Sequence, residues 1–307
     1  MKIGQQTLLI HKFKMLQKSC TTLLLTALLF CRCAENKPIA AQTSGEFTLL
    51  TYNVAGLPQG ISPSNPEKNI PIISPKLNKF DIALVQEDFV YHNELKSKAN
   101  QPYQSQTQID CSPHFITDGL NRFSKFPFGK LYRKAWETCS NDKGNDCLAA
   151  KGFTLAKTEI APGIFTDIYN LHLDSGGSPN DTEARRSQVA QLLNAIGTHS
   201  LGNAVIIAGD LNLNTTYRPN DIKIFETLLA NAGLTDVCRS LSCGTELVDR
   251  VLFRNGNSLA LKAVSWELDE NFVDELGQDL SDHSAVSVRF RWEFRETGML
   301  TSTPRKN

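Results

Sequence analysis

The sequence of 307 residues has no excess of either charge, because 32 lysines and arginines are matched by 32 aspartates and glutamates. A balanced chain has no overall attraction to the phosphates of nucleic acid or to anionic membranes. The sequence also has no internal repeat and no long low-complexity tract, so a repeat array is not indicated. No serine or cysteine lies in the context of a nucleophile elbow, which argues against covalent catalysis of that type.

Long apolar runs are also missing; the strongest, Thr21–Phe30 (TTLLLTALLF), is short for a membrane span. Residues 1–20 before it carry four lysines and no acidic residue. This pattern is typical of a secretory signal, and we predict a signal peptide over residues 1–41 and export to the periplasm or the medium. The alternatives are a buried N-terminal helix and a lipid anchor at Cys31 or Cys33, which have unfavourable neighbours for lipidation.

Residues 42–295 are expected to form one large domain, followed by a flexible tail over residues 296–307. An exported protein can form disulfides, and the close pairs Cys139–Cys147 and Cys238–Cys243 are the candidates, leaving Cys111 free. A zinc site is the alternative, but no histidine or CxxC pair accompanies these cysteines.

The apolar patterns predict an α+β fold. Two amphipathic helices are expected to end at Gly197 and Gly233, and residues 56–75, with five prolines, are predicted to be an irregular surface loop. Strands and helices do not alternate strictly, so stacked sheets with outer helices fit better than a doubly wound sheet. The predicted strands are Phe47–Asn53, Asp81–Gln86, Ile164–Leu173, Ala204–Ala208, Leu247–Phe253 and Ser284–Phe294.

Polar side chains occur where these apolar runs stop. Each has an ordinary explanation when taken alone, as a cap, a turn residue or a hydrogen-bonded core histidine. Their recurrence at one strand end after another favours a site instead. The residues are Asn53, Glu87, His172, Asp174, Asp210, Asn212, Asp249, Asp282 and His283.

Carboxylate and amide oxygens without thiolates suit a hard divalent cation, and Mg²⁺ in particular is held by one or two carboxylates and water. Histidines beside carboxylates suit proton transfer near neutral pH. Attack of water on a phosphoester, assisted by a metal, is the reaction class that uses this set. We therefore expect Mg²⁺, with Mn²⁺ as a substitute.

The motifs TYNVAGLP, VQED, NLHLDSG, AGDLN and SDHSAV occur in the order of the endonuclease/exonuclease/phosphatase superfamily, whose members are related to deoxyribonuclease I. The resemblance extends from about Phe47 to Phe294. Single motifs are weak evidence, but the ordered set is specific. It implies a four-layer αββα sandwich of two mostly antiparallel sheets with outer helices, and a catalytic site at one edge of the stack.

The same resemblance implies a role for each matching residue. Metal binding falls to Glu87, with Asn53 and Asp282 close to the metal. Proton transfer falls to His283, which is paired with Asp249. The resemblance implies that Asp210 and Asn212 orient the attacking water and bind the phosphate. It implies that His172 stabilises the phosphoryl oxygens or the leaving group.

Within the superfamily, the step from Ser124 to Pro127 and the run from Trp136 to Phe153 resemble secreted neutral sphingomyelinases. Nucleases place a glutamate near Lys151, and this chain does not. A sphingomyelinase-like hydrolase of phospholipid headgroups, acting as a monomer at a membrane surface, is therefore expected. A nuclease, an inositol-phosphate phosphatase and a non-catalytic binding protein are the alternatives.

Two stretches bear on the substrate. The aromatic residues Phe123, Phe126, Phe128 and Trp136 lie among lysines and arginines, which suits an amphipathic ester. The stretch over residues 266–280 is acidic and is expected to repel an anionic bilayer or a polynucleotide. No convincing aromatic hairpin, of the kind that sphingomyelinases carry, is found in the sequence.

Overall fold

The computed structural model describes residues 42–295, except residues 109, 143–144 and 245–246. The predicted signal peptide over residues 1–41 and the tail over residues 296–307 lie outside the described residues. No helix in the described part of the chain is both long enough and apolar enough to cross a bilayer.

Two six-stranded sheets carry the fold. The first contains strands from both ends of the domain, and the second contains strands from its middle. The first comprises β1 (Ser44–Asn53), β2 (Ile82–Gln86), β3 (Tyr103–Gln104), β4 (Asn121–Ser124), β11 (Leu259–Leu268) and β12 (Val286–Phe294). The second comprises β5 (Tyr132–Ala135), β6 (Gly152–Ala161), β7 (Ile164–His172), β8 (Val205–Asp210), β9 (Thr235–Asp236) and β10 (Asp249–Arg254).

The order is β11-β12-β1-β2-β4-β3 in the first sheet and β5-β6-β7-β8-β10-β9 in the second. Each sheet has one parallel pair, β1 with β2 and β7 with β8, and its other neighbours are antiparallel. Since parallel strands run in the same direction, their carboxyl ends meet at one edge of each sheet. The predicted mostly antiparallel pair of sheets is confirmed.

The described residues contain five α-helices, which are α1 (Pro66–Lys76), α2 (His92–Lys96), α3 (Pro179–His199), α4 (Pro219–Ala232) and α5 (Val237–Leu241). The first four pack on the outer sides of the sheets, whereas α5 packs Val237 into the core between the sheets. Gly233 ends α4 with a left-handed φ of 63°, as predicted. The prediction that Gly197 ends a helix is wrong, because α3 continues to His199. Gly197 is exposed within the last turn, where a glycine weakens a helix without breaking it.

The prediction of an irregular loop over residues 56–75 is also wrong for its second half, which is helix α1. Pro66 occupies the first turn, where a missing N–H is tolerated, and the side chain of Asn65 caps the helix. Ile70 and Ile73 are buried against the first sheet. Packing of this apolar face stabilises a helix that contains two further prolines.

Successive side chains along each strand alternate between the space between the sheets and the outer, helix-covered face, which gives four layers. Phe47 and Leu49 of β1 pack between the sheets, against Ile168 and Ile206. The intervening side chains, such as Tyr52, pack against the helices on the other face. On the second sheet the outer face packs against α3 and α4 in the same way. This is the expected αββα sandwich.

Among the cysteines that the structure describes, two disulfides join Cys139 to Cys147 and Cys238 to Cys243, and Cys111 is free. Both predicted pairs are therefore confirmed. The first bridge closes the loop that leads into β6, beside the candidate site.

Candidate active site

The strand ends identified in the sequence meet at one edge of the sandwich. Four of these side chains face the space between the sheets. Each lies an even number of residues from core residues on its own strand, and a strand turns every second side chain to the same face. They are Asn53, His172, Asp210 and Asp249. A cleft of about 430 Å³ opens there. Its polar lining includes Glu87, Asp146, Lys151, His172, Ser175, Asp210, Asn212, Asp282 and His283.

Asp210 lies at the centre of these residues and is buried. Its Oδ2 lies 3.2 Å from His172 Nε2 and 3.7 Å from His283 Nε2, and it accepts a hydrogen bond of 3.3 Å from Asn53 Nδ2. Its Oδ1 accepts from the backbone N–H of Asn212 at 3.0 Å. A single carboxylate therefore joins groups from both sheets.

Local structure explains the position of Asp210. Gly209 precedes it with a φ of 150°, and a Cβ there would lie 2.0 Å from the carbonyl oxygen of Leu171. Only glycine allows β8 to approach β7 this closely. Asn212 then takes a left-handed φ of 48°, and its Nδ2 donates to the Leu173 carbonyl at 3.0 Å.

His283 and Asp249 form the second part of the site. His283 precedes β12 of the first sheet, whereas Asp249 begins β10 of the second. His283 Nδ1 lies 2.8 Å from Asp249 Oδ2, so the ring is oriented with its Nε2 towards Asp210. The backbone N–H of His283 donates to Ser281 Oγ at 3.2 Å, which fixes the segment that carries the ring.

The charges of the site shift its proton affinities. Burial raises the pKa of Asp249 to about 6, although the hydrogen bond from His283 acts to lower it. Burial would lower the pKa of His283, but Asp249, Asp210 and Asp282 outweigh it and raise this pKa to about 10. Burial would likewise raise the pKa of Asp210, but His172 and His283 hold it well below its usual range. Asp210 is therefore an anion near pH 7.

Glu87, Asn53 and Asp282 form the oxygen-rich side of the cleft. Glu87 has a left-handed φ of 57° and is half-buried, and Asp282 is exposed. Asn53 donates through Nδ2 to Glu87 Oε1 at 3.2 Å, while its Oδ1 accepts from the backbone N–H of Ala55 at 3.0 Å. The amide nitrogen, rather than the oxygen, therefore faces the carboxylate.

These hard oxygen donors fit Mg²⁺, which requires few protein ligands besides water. A second set, Asp210, Asp249 and His283, offers ligand atoms that all lie within 4.8 Å of one another. The contact between His283 Nδ1 and Asp249 has the geometry of a hydrogen bond, so this set is better suited to proton transfer. Glu87 and Asp282 are the better candidates for a cation.

Lys151 also lies in the site, although no motif in the sequence assigns a role to it. Lys151 is buried, pairs with Asp146, and places its Nζ 3.1 Å from His172 Nε2. His172 Nε2 also faces Asp210. Because this nitrogen can hold only one proton, it either accepts a hydrogen bond from Lys151 or donates one to Asp210. The only feature of the sequence that could have indicated this lysine is its spacing from Asp146 and Gly152. Gly152 lets β6 approach β5 closely, because a Cβ there would lie 2.1 Å from the Lys134 carbonyl oxygen.

Asp174 and Arg185 support the site without facing the cleft. Both are fully buried. Arg185 donates to the carbonyls of Asp174, Ser175 and Gly176 and to the carboxylate of Asp221. It therefore holds the loop that follows His172.

The interpretation of the aromatic group as a lipid-facing cluster is wrong. Phe123 and Trp136 are buried, Phe126 packs against Phe47 between the sheets, and Phe128 lies beside the guanidinium of Arg122. Trp136 Nε1 donates to the carbonyl of His172 at 2.7 Å. Phe123 on β4 and Trp136 just after β5 are core residues, and none of the four aromatic side chains lines the cleft.

Comparison with known proteins agrees with the fold and the motifs. No family model matches the chain. A sphingomyelinase of Mycobacterium bovis is 35% identical over an alignment that covers 81% of this chain and 53% of that protein. The chain thus spans about half the length of the curated relatives it matches.

Two solved structures show the same fold at low sequence identity. A mutant beta toxin from Staphylococcus aureus, with bound magnesium ions, has a TM-score of 0.58 at 17% identity, covering 80% of this chain and 99% of that one. TDP2 of D. rerio, complexed with a single-strand DNA product, has a TM-score of 0.60 at 18% identity, with coverages of 80% and 99%. The sequence similarity to a sphingomyelinase and the shared fold agree with the resemblance to the endonuclease/exonuclease/phosphatase superfamily that the ordered motifs indicate.

Proposed function

We propose that this protein is an exported, Mg²⁺-dependent phosphodiesterase that hydrolyses the headgroup of a choline phospholipid such as sphingomyelin. The observation that carries the proposal is the convergence of Glu87, Asp210, His172 and His283 on one cleft. The sequence similarity to a sphingomyelinase supports the lipid substrate. Lys151 beside His172 supports it further, because the nuclease pattern has a glutamate there.

In the proposed mechanism, Asp210 and Asn212 hold the attacking water in line with the phosphorus. His283, oriented by Asp249, accepts a proton from that water through Nε2 as the bond from the water oxygen to phosphorus forms. The bond from phosphorus to the lipid oxygen breaks, and the leaving lipid oxygen takes up a proton from solvent. On the other side of Asp210, His172 and Lys151 bring two positive or hydrogen-bonding groups to the phosphoryl oxygens, where charge develops in the transition state.

The metal ion would be held by Glu87 and Asp282, with Asn53 beside them. When bound, it would polarise a phosphoryl oxygen and, through its charge near Asp282, favour the neutral form of His283.

Export rests on the N-terminal pattern and agrees with the two disulfides. Expression of the full chain with N-terminal sequencing of the released protein tests this part. Release of protein that begins at Gln42 is the expected result, and retention of residues 1–41 on an intracellular protein would contradict it.

The activity is tested with chelator-treated protein and three substrates: sphingomyelin in detergent micelles, supercoiled plasmid DNA and an inositol phosphate. We expect release of phosphocholine only after Mg²⁺ is added, with Mn²⁺ as a partial substitute. Full activity after chelation would refute the role of the metal. Efficient nicking of DNA without release of phosphocholine would replace the lipid substrate with a nucleic acid.

A further inference from the structure

The lining of the cleft is chemically mixed. Besides the polar residues described above, called the polar wall, it contains Leu57, Pro58, Phe89, Ile116 and Ala149, called the apolar wall. None of these apolar side chains is used by the proposed chemistry. A phosphoester bound at the polar wall would therefore present the rest of its molecule to an apolar surface.

The apolar wall continues onto the surface of the protein. Ile61 and Leu148 line its outer part and are 70% and 44% exposed, and Phe115 is 83% exposed. Phe115 lies beside Leu148, because its backbone N–H donates to the Leu148 carbonyl at 2.9 Å. These three residues, Ile61, Phe115 and Leu148, are called the apolar rim below.

The segments that carry the apolar rim contain no aspartate, glutamate, lysine or arginine. They are residues 54–65, 111–117 and 147–150, in a chain in which 21% of residues are charged. Exposed apolar groups on an uncharged surface mark an interaction site. The absence of charge fits a partner surface without net charge, such as a bilayer of zwitterionic lipids.

The apolar rim is held in place by its surroundings. The N–H groups of Phe115 and Ile116 both donate to the Leu148 carbonyl, and the disulfide of Cys147 lies next to Leu148. On the other segment, Ser62 Oγ donates to the Ala55 carbonyl at 2.9 Å. A surface that is ordered before binding loses less entropy when it binds.

The connection between β11 and β12, which carries Asp282 and His283 into the cleft, does not offer an equivalent surface. It exposes one large apolar side chain, Leu276, which is 79% exposed. Its neighbours are acidic, and Asp274 and Asp269 are paired with Lys68 and Lys79. This segment is unsuited to contact with lipid.

We propose that the apolar rim seats this protein on the surface of a zwitterionic bilayer, with the apolar wall directing the phosphodiester of a single lipid to the polar wall. The proposal rests on the proposed function for its substrate. It assigns membrane contact to the loops before α1, before β4 and before β6 rather than to the β11–β12 connection.

The test separates binding from turnover. Binding is measured by sedimentation with vesicles of phosphatidylcholine and sphingomyelin, in a His283→Ala background that cannot consume the lipid. Turnover is measured on the same vesicles and on a soluble chromogenic phosphocholine ester. The variant is Ile61→Ser with Phe115→Ser, and the matched controls are Leu201→Ser, at a residue 84% exposed, and Leu276→Ser.

We expect the double variant to bind vesicles at least tenfold more weakly and its ratio of vesicle to soluble turnover to fall at least tenfold, with both controls within twofold of wild type. Unchanged vesicle binding would overturn the proposal, as would binding that requires anionic lipid. Loss of a dimer in the double variant, with vesicle binding retained, would assign the apolar rim to self-association instead. Rim-dependent binding without hydrolysis of either substrate would refute the proposed function and leave the membrane contact standing.

Discussion

The two sheets present the same strand arrangement to the site and use it differently. Each has a parallel pair followed by an antiparallel neighbour, β1–β2–β4 in the first sheet and β7–β8–β10 in the second. At the last paired position, Asn53 lies opposite Gln86 in the first sheet, and His172 lies opposite Asp210 in the second. Two neutral amides in one sheet thus correspond to an imidazole and a carboxylate in the other.

Gln86 and Asp210 therefore hold equivalent positions with different tasks. Gln86 Nε2 donates to Asn170 Oδ1 at 2.7 Å, and Asn170 Nδ2 donates to the Val85 carbonyl at 2.9 Å, so the pair joins the sheets. The carboxylate of the first sheet comes one residue later, at Glu87. A regular strand would turn that side chain to the helical face, and the left-handed φ of Glu87 redirects it.

Topology therefore sets the location of the site, whereas residue type and local turns determine the role of each side chain. The second sheet places Asp210 and His172 at strand ends, which suits groups that need fixed mutual geometry. The first sheet places Glu87 on a turn, which suits a ligand of a cation that also binds water.

The largest effect is expected at the pair that connects the sheets. His283→Ala is expected to lower kcat about a hundredfold or more, which is typical of the loss of a general base. Asp249→Asn is expected to act in the same direction, because the ring loses its orienting carboxylate. The measurement is phosphocholine release at saturating Mg²⁺, with His199→Ala, on the exposed end of α3, as the control. Wild-type turnover by both site variants would refute proton transfer through His283.

Variants of Glu87 and Asp210 are expected to respond differently to added Mg²⁺. Glu87→Gln should raise the Mg²⁺ concentration needed for half-maximal activity about tenfold or more, a change of about 1.4 kcal/mol or more in binding free energy. Asp210→Asn should lower kcat at every Mg²⁺ concentration, because its task is to orient water. A Mg²⁺ titration of both variants distinguishes them. If added Mg²⁺ rescues Asp210→Asn but not Glu87→Gln, the proposed division between the sheets is wrong.

The link between the sheets is expected to contribute to stability. Gln86→Leu leaves the Oδ1 of the buried Asn170 without its partner, which is expected to lower the free energy of unfolding by about 1–3 kcal/mol. Urea denaturation gives the value. Gln278→Leu, at an exposed position, is the control and is expected to stay within about 0.5 kcal/mol of wild type. Equal stability of the two variants would argue against a structural role for the link.

The smallest effect concerns the helical layer of the second sheet. Asp181 and Ser178 form a capping box at the start of α3, and Ser140 Oγ donates to Asp181 at 2.6 Å. Burial would raise the pKa of Asp181, but these hydrogen bonds outweigh it and lower the pKa. A lowered pKa in the folded state stabilises the protein above the unfolded value of about 3.9, and the contribution is lost as pH falls further.

Asp181→Asn is therefore expected to cost about 1 kcal/mol near pH 7, typical of a lost cap interaction. The difference from wild type should shrink below about pH 4. Thermal unfolding from pH 3 to pH 7 measures it. A difference that stays constant over this range would mean that the charge of Asp181 does not contribute.

Much of this could be predicted from residue order alone. The alternation in β12 and the apolar runs of β1, β2, β7, β8 and β10 determined which side chains face inwards, because a strand places successive side chains on opposite faces. The same parity determined that Asn53, His172, Asp210 and Asp249 would share one face with the core. The spacing of cysteines determined the two bridges, since short loops leave few other partners.

The tertiary structure alone decided the rest. Short strands with polar residues, such as β3 and β5, have no clear pattern of their own and form because neighbouring strands supply their hydrogen bonds. Helix α1 forms despite its prolines because the first sheet buries its apolar face. Glu87 reaches the site through a backbone angle that its sequence does not reveal, and Lys151 reaches His172 because β6 pairs with β7. Sequence thus determined the facing of side chains within each strand, whereas contacts between strands required the packing of the whole domain.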